Sequence, residues 1–237
     1  MVLLSLAIAP GLAICLFIYF KDKYNREPLS YLVRCFLLGM LSAVIALFVE
    51  GFGERLLGRI ITPGSLSYII VFSFCVVALA EEGSKFFMLK RYAFSTSKFD
   101  EPFDGIVYSV MIGMGFATLE NIGYVYEYGM STALLRMFLS VPAHASFAVL
   151  MGYYAGIAKF SRPEVQTGFL LRGLLLAIFF HGMFDCFLFL TDSDEVNRYI
   201  SDGLLILGAF VSYFIAIRLS LKAIRMDCDL SQQTHVH

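Results

Sequence analysis

Seven apolar runs, each long enough to cross a bilayer, dictate the fold class of this chain. They occupy residues 2–20, 29–50, 65–89, 105–126, 132–158, 169–190 and 203–221. A membrane-spanning helix needs about 20 such residues. Composition agrees: 59% of the 237 residues are hydrophobic and 16% are charged, against about 25% charged in soluble domains. With a mean hydropathy of +0.76, a globule of this size cannot hide so much apolar surface, so lipid is its solvent. The expected fold is an all-α, polytopic transmembrane bundle: one integral membrane domain over residues 1–225 and a short solvated tail over 226–237. That tail makes His235 and His237 poor ligands. The fourth and fifth runs are interrupted by polar residues.

The first run has no basic segment before it and is followed by Lys21-Asp22-Lys23, which reads as a first span rather than a signal peptide. Orientation follows the basic residues. Twelve lie in the first, third and fifth loops and the tail, and four (Arg55, Arg59, Arg136 and Arg198) in the other loops. This predicts an amino terminus outside and a carboxyl terminus in the cytoplasm. No basic stripe or aromatic RNA-binding motif points to nucleic acid. The five cysteines form no metal-binding spacing, and four lie in apolar runs as packing residues. Short loops make neighbouring spans antiparallel. The missing internal repeat weighs against an inverted-repeat transporter. Gly105, Ser109, Gly113 and Ala117 recur at i+4 in the fourth run, a smooth face for close helix approach, and Gly152 and Gly156 offer the same in the fifth.

Against this background the polar residues inside the runs stand out: Glu81, Glu82, Lys85, Glu120, Asn121, His144, His181 and Asp185. A charge at the bilayer centre costs at least about 2.5–3.5 kcal/mol, so such groups face protein or a water-filled cavity and mark function. At about 1.5 Å per residue from the cytoplasmic span ends, Glu82 lies roughly 11 Å deep, His181 roughly 18 Å, and Glu120 and His144 roughly 21–23 Å. All fall within a hydrocarbon layer about 30 Å thick, so four spans can aim polar groups at one cavity. Glu81 and Lys85 are i,i+4 in the favoured order, which lets the lysine hold Glu81 ionised and leaves Glu82, about 100° around the helix, for another task. His181 and Asp185 share the same spacing. Four carboxyls against one lysine leave an excess of negative charge, met either by protonated carboxyls or by a bound cation.

The chain resembles the PrsW family of bacterial intramembrane proteases. The resemblance is carried by Ala9-Pro10-Gly11, the stretch Lys21–Pro28, Glu81-Glu82-Gly83-Ser84-Lys85-Phe86, the stretch Phe99–Tyr108, the stretch Gly115–Asn121, Pro142-Ala143-His144, and His181-Gly182-Met183-Phe184-Asp185. Each piece is weak alone; the ordered set, from the first run to the sixth, is specific. The family is similar to the type II CAAX prenyl proteases, which implies a core like theirs, in which a glutamate and histidines activate water within the membrane. Where the prenyl proteases carry Phe-x-x-x-His, this chain has Phe116-x-x-x-Glu120. The resemblance implies roles for Glu81, Glu82 and His181. It also implies a bacterial cell-membrane location and a single-span substrate, an anti-sigma factor whose cleavage opens an envelope-stress response.

Peptide hydrolysis is the reading expected from these residues. Glu82 or Glu81 takes a proton from water, His181 and Glu120 position that water, and Asp185 or Asn121 stabilises the oxyanion. No GxSxG elbow supports a serine enzyme. HExxH is absent, yet Glu120, His144 and His181 are acceptable zinc ligands. Two rival readings use the same residues: a cation or proton transporter, because embedded acids also build ion paths, and a non-catalytic membrane sensor.

Overall fold

The computed structural model describes residues 2–23 and 25–235. All seven expected spans are helical, and no strand occurs among the described residues. The spans are Val2–Lys21, Leu29–Leu57, Leu66–Ala93, Pro102–Tyr128, Met130–Lys159, Pro163–Leu190 and Asp202–Gln232.

Local chemistry sets the helix ends. Pro28 precedes the second span in an extended conformation. The fourth opens on Pro102, which lacks only an N–H that no helical partner would take. A reciprocal capping box between Glu101 and Asp104 fixes that start by satisfying two orphan amides. The fourth span stops at Gly129, whose φ of 81° suits a residue without a side chain. The fifth span is broken at Leu139 into Met130–Phe138 and Ser140–Lys159. Pro142, in the first turn of the second piece, tolerates the break because it donates no hydrogen bond.

The fourth span is the axis of the bundle. Of its most apolar stretch 89% is buried, against 22% in the first span and 28% in the second. Small residues allow this. A methyl on Gly105 would strike the backbone of Gly152 and Gly156, and one on Gly115 would strike the Phe36 carbonyl in the second span. The stripe read from the sequence is thus the seam between the fourth and fifth spans, while Gly115 of the fourth span and Gly39 of the second form a second seam between those two. The outer spans turn large side chains outward, such as Leu47, Phe48 and Phe52, as lipid contact requires.

The third span is irregular where it matters. Phe72–Ala78 and Leu89–Ala93 are π-helical and flank a regular segment, Leu79–Met88. Such wide turns rotate the downstream residues around the helix axis and recur at functional sites. Here Glu81, Glu82 and Lys85 point into the bundle while Leu79 and Phe87 face outward.

Several boundaries differ from expectation: the third span runs on to Ala93 and the sixth begins at Pro163. The second span runs to Leu57, past its apolar part. The last helix continues to His235, through most of the segment expected to be a short solvated tail, with Asp227 and Ser231 buried. Once lipid contact ends, a helix continues on propensity and packing, which hydropathy does not register. Val236, His237 and the side chain of His235 lie outside the described residues.

Candidate active site

Four spans deliver the buried polar groups to one place. From the third span, Lys85 Nζ lies 3.2 Å from Glu81 Oε2 and 2.8 Å from Glu82 Oε1. From the fifth, His144 Nδ1 lies 3.2 Å from the same ammonium. From the sixth, His181 Nδ1 lies 2.8 Å from Glu82 Oε1, and its Nε2 lies 3.1 Å from Asp185 Oδ2. From the fourth, Glu120 Oε2 lies 2.9 Å from His144 Nε2. The aromatic rings of Phe116 and Phe147 wall the cluster. Lys85 Nζ lies 3.8 Å from the Phe116 ring centre, and Phe147 stacks on His181 with centres 5.1 Å apart. The ammonium over a ring gains a cation–π attraction in place of lost water.

The residues beneath and beside the cluster take separate roles. Lys85 does not serve Glu81 alone, as the i,i+4 spacing suggests; it pairs with both glutamates. Glu82 is fully buried, and its Oε2 has no hydrogen-bond partner. Each nitrogen of His181 faces a carboxylate, whereas a neutral imidazole has one N–H to give, so a further proton is shared within this network. Asn121 does not reach the cavity as an oxyanion donor would. Its Nδ2 donates to the Ala7 carbonyl at 2.9 Å, and its Oδ1 accepts from Arg136 Nε at 3.0 Å.

Arg136, counted from the sequence among the loop charges although it falls within the fifth run, also borders the cluster. Its Nη2 forms an ion pair with Glu120 Oε2 at 2.7 Å, and its guanidinium lies 4.0 Å from the Tyr124 ring centre. The signal available is its place on a short amphipathic helix, Met130–Phe138. Glu50, at the very end of the second apolar run, is the other omission. It lines the same cavity.

That cavity has a volume of about 790 Å³ and is mostly apolar. Glu50, Glu81, Glu120, His144, His181 and Asp185 contribute its polar wall, with Arg136 beside them. Leu47, Phe72, Leu119, Tyr124 and Phe189 are among its apolar lining. Glu82 lies behind this surface, fully buried.

For a metal, the group whose donor atoms converge is Glu81, Glu82, His144 and His181, all within 4.8 Å of one another. Glu120, expected as a ligand, is not in this group; it is held by His144 and Arg136. Two imidazoles and two carboxylates are a zinc-type donor set, and the orphaned Glu82 Oε2 is an acceptor awaiting a cation or proton. The residues therefore fit a metal. The Lys85 ammonium, hydrogen-bonded to three of the four, holds much of the same ground.

Fold and site together define a polytopic membrane protein with an intramembrane centre of carboxylates and imidazoles opening on an apolar cleft. Residues 27–217 match the model of the PrsW family of intramembrane metalloproteases. The chain is 39% identical over 183 residues to Protease PrsW of Geobacillus kaustophilus, covering 77% of this chain and 78% of the relative. It is 35% identical over 183 residues to Protease PrsW of Bacillus subtilis, covering 77% and 81%. It is 38% identical over 188 residues to Protease PrsW of Clostridioides difficile, covering 77% of each. No solved structure matches it significantly. The chain belongs to the PrsW family, and is by that membership a peptidase of the membrane interior.

Proposed function

We propose that this protein is an endopeptidase that hydrolyses a single-span membrane protein, and that Glu81 is its general base. The observation that carries the assignment is the asymmetry of the glutamate pair. Glu81 lines the cleft, while Glu82 lies behind it, fully buried and bonded to His181 and Lys85. A base must touch the water it deprotonates, and only Glu81 of the two can do so without rearrangement. Glu82 then orients His181, with Asp185 on the ring's other nitrogen.

The steps follow from these positions. Glu81 takes a proton from a water in the cleft as the water oxygen attacks the scissile carbonyl. Arg136, held by Asn121 and Glu120 and carrying five N–H donors, supplies hydrogen bonds and charge to the developing oxyanion. Glu81 returns its proton to the leaving amine as the C–N bond breaks. His144 and Glu120 keep Arg136 and the water side of the site in register. Of the convergent donors, Glu82, His144 and His181 would hold zinc and leave Glu81 free as the base; zinc, when bound, would polarise a carbonyl and bring the pKa of water down to about 7.

An apolar cleft inside the membrane fits a substrate segment that is itself apolar. An anti-sigma factor, cut to open an envelope-stress response in a bacterial cell membrane, is the substrate implied by the family resemblance, and the distribution of basic residues among the loops supports an amino terminus outside and a carboxyl terminus in the cytoplasm.

The test is reconstitution of the purified protein in vesicles with a membrane-anchored reporter. Wild type should cleave it, and folded Glu81→Gln should not. Normal cleavage by folded Glu81→Gln would overturn the assignment of the base. Ion flux with no cleavage by wild type would replace the peptidase reading with a transporter.

A further inference from the structure

Two of the sequence motifs have no part in the cleft: Lys21–Pro28, between the first and second spans, and Phe99–Tyr108, at the start of the fourth. Asp104 and Glu120 lie about 24 Å apart along the same helix at 1.5 Å per residue. The two motifs meet at a second cluster of acids. Glu27, Asp100 and Asp104 each present a carboxylate oxygen, all within 4.8 Å of one another.

Acids alone make no site, but two of these are unusual. Asp104 is fully buried and Glu27 is 5% exposed. Asp104 Oδ2 accepts the Asp100 and Glu101 amides, both at 2.9 Å. Asp104 Oδ1 and Glu27 Oε2, however, are buried without any hydrogen-bond partner. No lysine or arginine forms an ion pair with Glu27, Asp100 or Asp104 among the described residues. Asp22, 1% exposed, is a further buried acid beside the cluster and accepts the Glu27 amide at 3.3 Å. A buried carboxylate oxygen left unpaired is costly, and several together are paired, protonated or metal-bound.

We propose that Glu27, Asp100 and Asp104 form a binding site for a hard divalent cation, of the calcium or magnesium kind. Donors that are all oxygen select such ions over zinc or copper. Asn25 Nδ2, 2.6 Å from Asp100 Oδ1, already orients the one ligand that is exposed. The ion would clasp the loop after the first span to the start of the fourth, the axis on which the other helices pack. Its effect is on assembly of the bundle, at a distance from hydrolysis.

Terbium, which takes calcium sites and emits when a nearby aromatic residue is excited, gives a direct readout. The chain has no tryptophan, and Tyr108 lies beside Glu27. Purified, chelator-treated full-length protein in detergent should show saturable emission with terbium. Emission should fall at least tenfold in Glu27→Gln and in Asp100→Asn, the latter at an exposed position that leaves the fold intact. It should persist in Glu81→Gln, which separates this site from the cleft. Calcium and magnesium should each compete, and the ion effective at the lower concentration is the resident one. That ion should raise the wild-type Tm by about 5–10 °C when near 100 times its Kd and leave the Tm of Asp100→Asn unchanged. Absence of emission, equal emission in wild type and Asp100→Asn, or loss of emission in Glu81→Gln alone would each overturn the proposal.

Discussion

Replacing Lys85 by methionine removes the ammonium that touches both members of the glutamate pair. The ammonium sits 3.2 Å from Glu81 and 2.8 Å from Glu82, and the three side chains are between 0% and 7% exposed. Methionine keeps the unbranched stem and its packing against Phe116. The loss is therefore almost wholly electrostatic. Breaking a buried pair from one side costs about 3–5 kcal/mol, because the surviving charge stays desolvated. For a chain of this length that is a Tm drop of about 6–20 °C. The double variant Lys85→Met/Glu82→Gln discards the stranded charge and should recover at least half of the loss, a coupling of about 2 kcal/mol. Loss of helical circular dichroism on heating in mild detergent measures both. Micromolar zinc should raise the Tm of Lys85→Met more than that of wild type, because a divalent ion can fill the place the ammonium left. A Lys85→Met protein that melts within 2 °C of wild type (a limit of about 1 kcal/mol), or a double variant no firmer than the single, would refute the idea that this lysine balances the pair.

Other substitutions test the same geometry. Arg136→Lys keeps the charge but loses the planar fork; it should lower kcat about 10²–10³-fold with little change in KM for the reporter, as loss of an oxyanion donor does, and an unchanged kcat would remove Arg136 from the reaction. Arg136→Gln combined with Glu120→Gln should impair cleavage no more than the worse single change, because the two act as one unit; additive losses would separate them. Gly115→Ala, which drives a methyl into the Phe36 carbonyl, should cost about 1–3 kcal/mol, read as a lower Tm at unchanged activity per folded molecule. Prolonged treatment with a zinc chelator, checked by elemental analysis, should abolish cleavage if the convergent donors hold a metal; full activity in metal-free protein would leave Glu81 and Lys85 to work without one.

The spans are legible in the sequence because lipid demands long apolar runs, and all seven appear. Their ends are not, because Glu54, Arg55 and the residues after Arg225 continue helices by propensity and contact rather than by hydropathy. The break at Leu139 and the π-helical turns of the third span escape for a related reason: both are set by packing of one helix on another. At the site, the eight polar residues inside the runs are visible as exceptions to their surroundings. What those exceptions bond to is not visible. By its position Asn121 should face the reaction, yet its amide is used on both sides by Ala7 and Arg136. Arg136 is counted with the loop charges because it lies near the start of the fifth run, on a nine-residue helix that ends at Phe138. Spacing along one helix gives a face; only packing between helices gives a partner.

The charge in the cleft bears on how the site works. Glu50, Glu81, Glu82, Glu120 and Asp185 face Lys85 and Arg136, an excess of acids that adding Arg136 to the sequence reading does not remove, because Glu50 comes with it. Placing these carboxylates in a low-dielectric interior without compensation is prohibitive, so protons, a cation or both must reside there. The protein has tied one carboxylate, Glu120, to an arginine and two, Glu81 and Glu82, to a lysine that also touches an imidazole. In that arrangement every charge change in the cleft is felt by the glutamate pair: protonating Glu81 frees the ammonium toward Glu82, and a divalent ion displaces it. On the proposed assignment, such a site can pass a proton from water to an amine with small movements of one flexible side chain, and the adjacent glutamates, identical in chemistry, are told apart because one meets the cleft and the other meets His181.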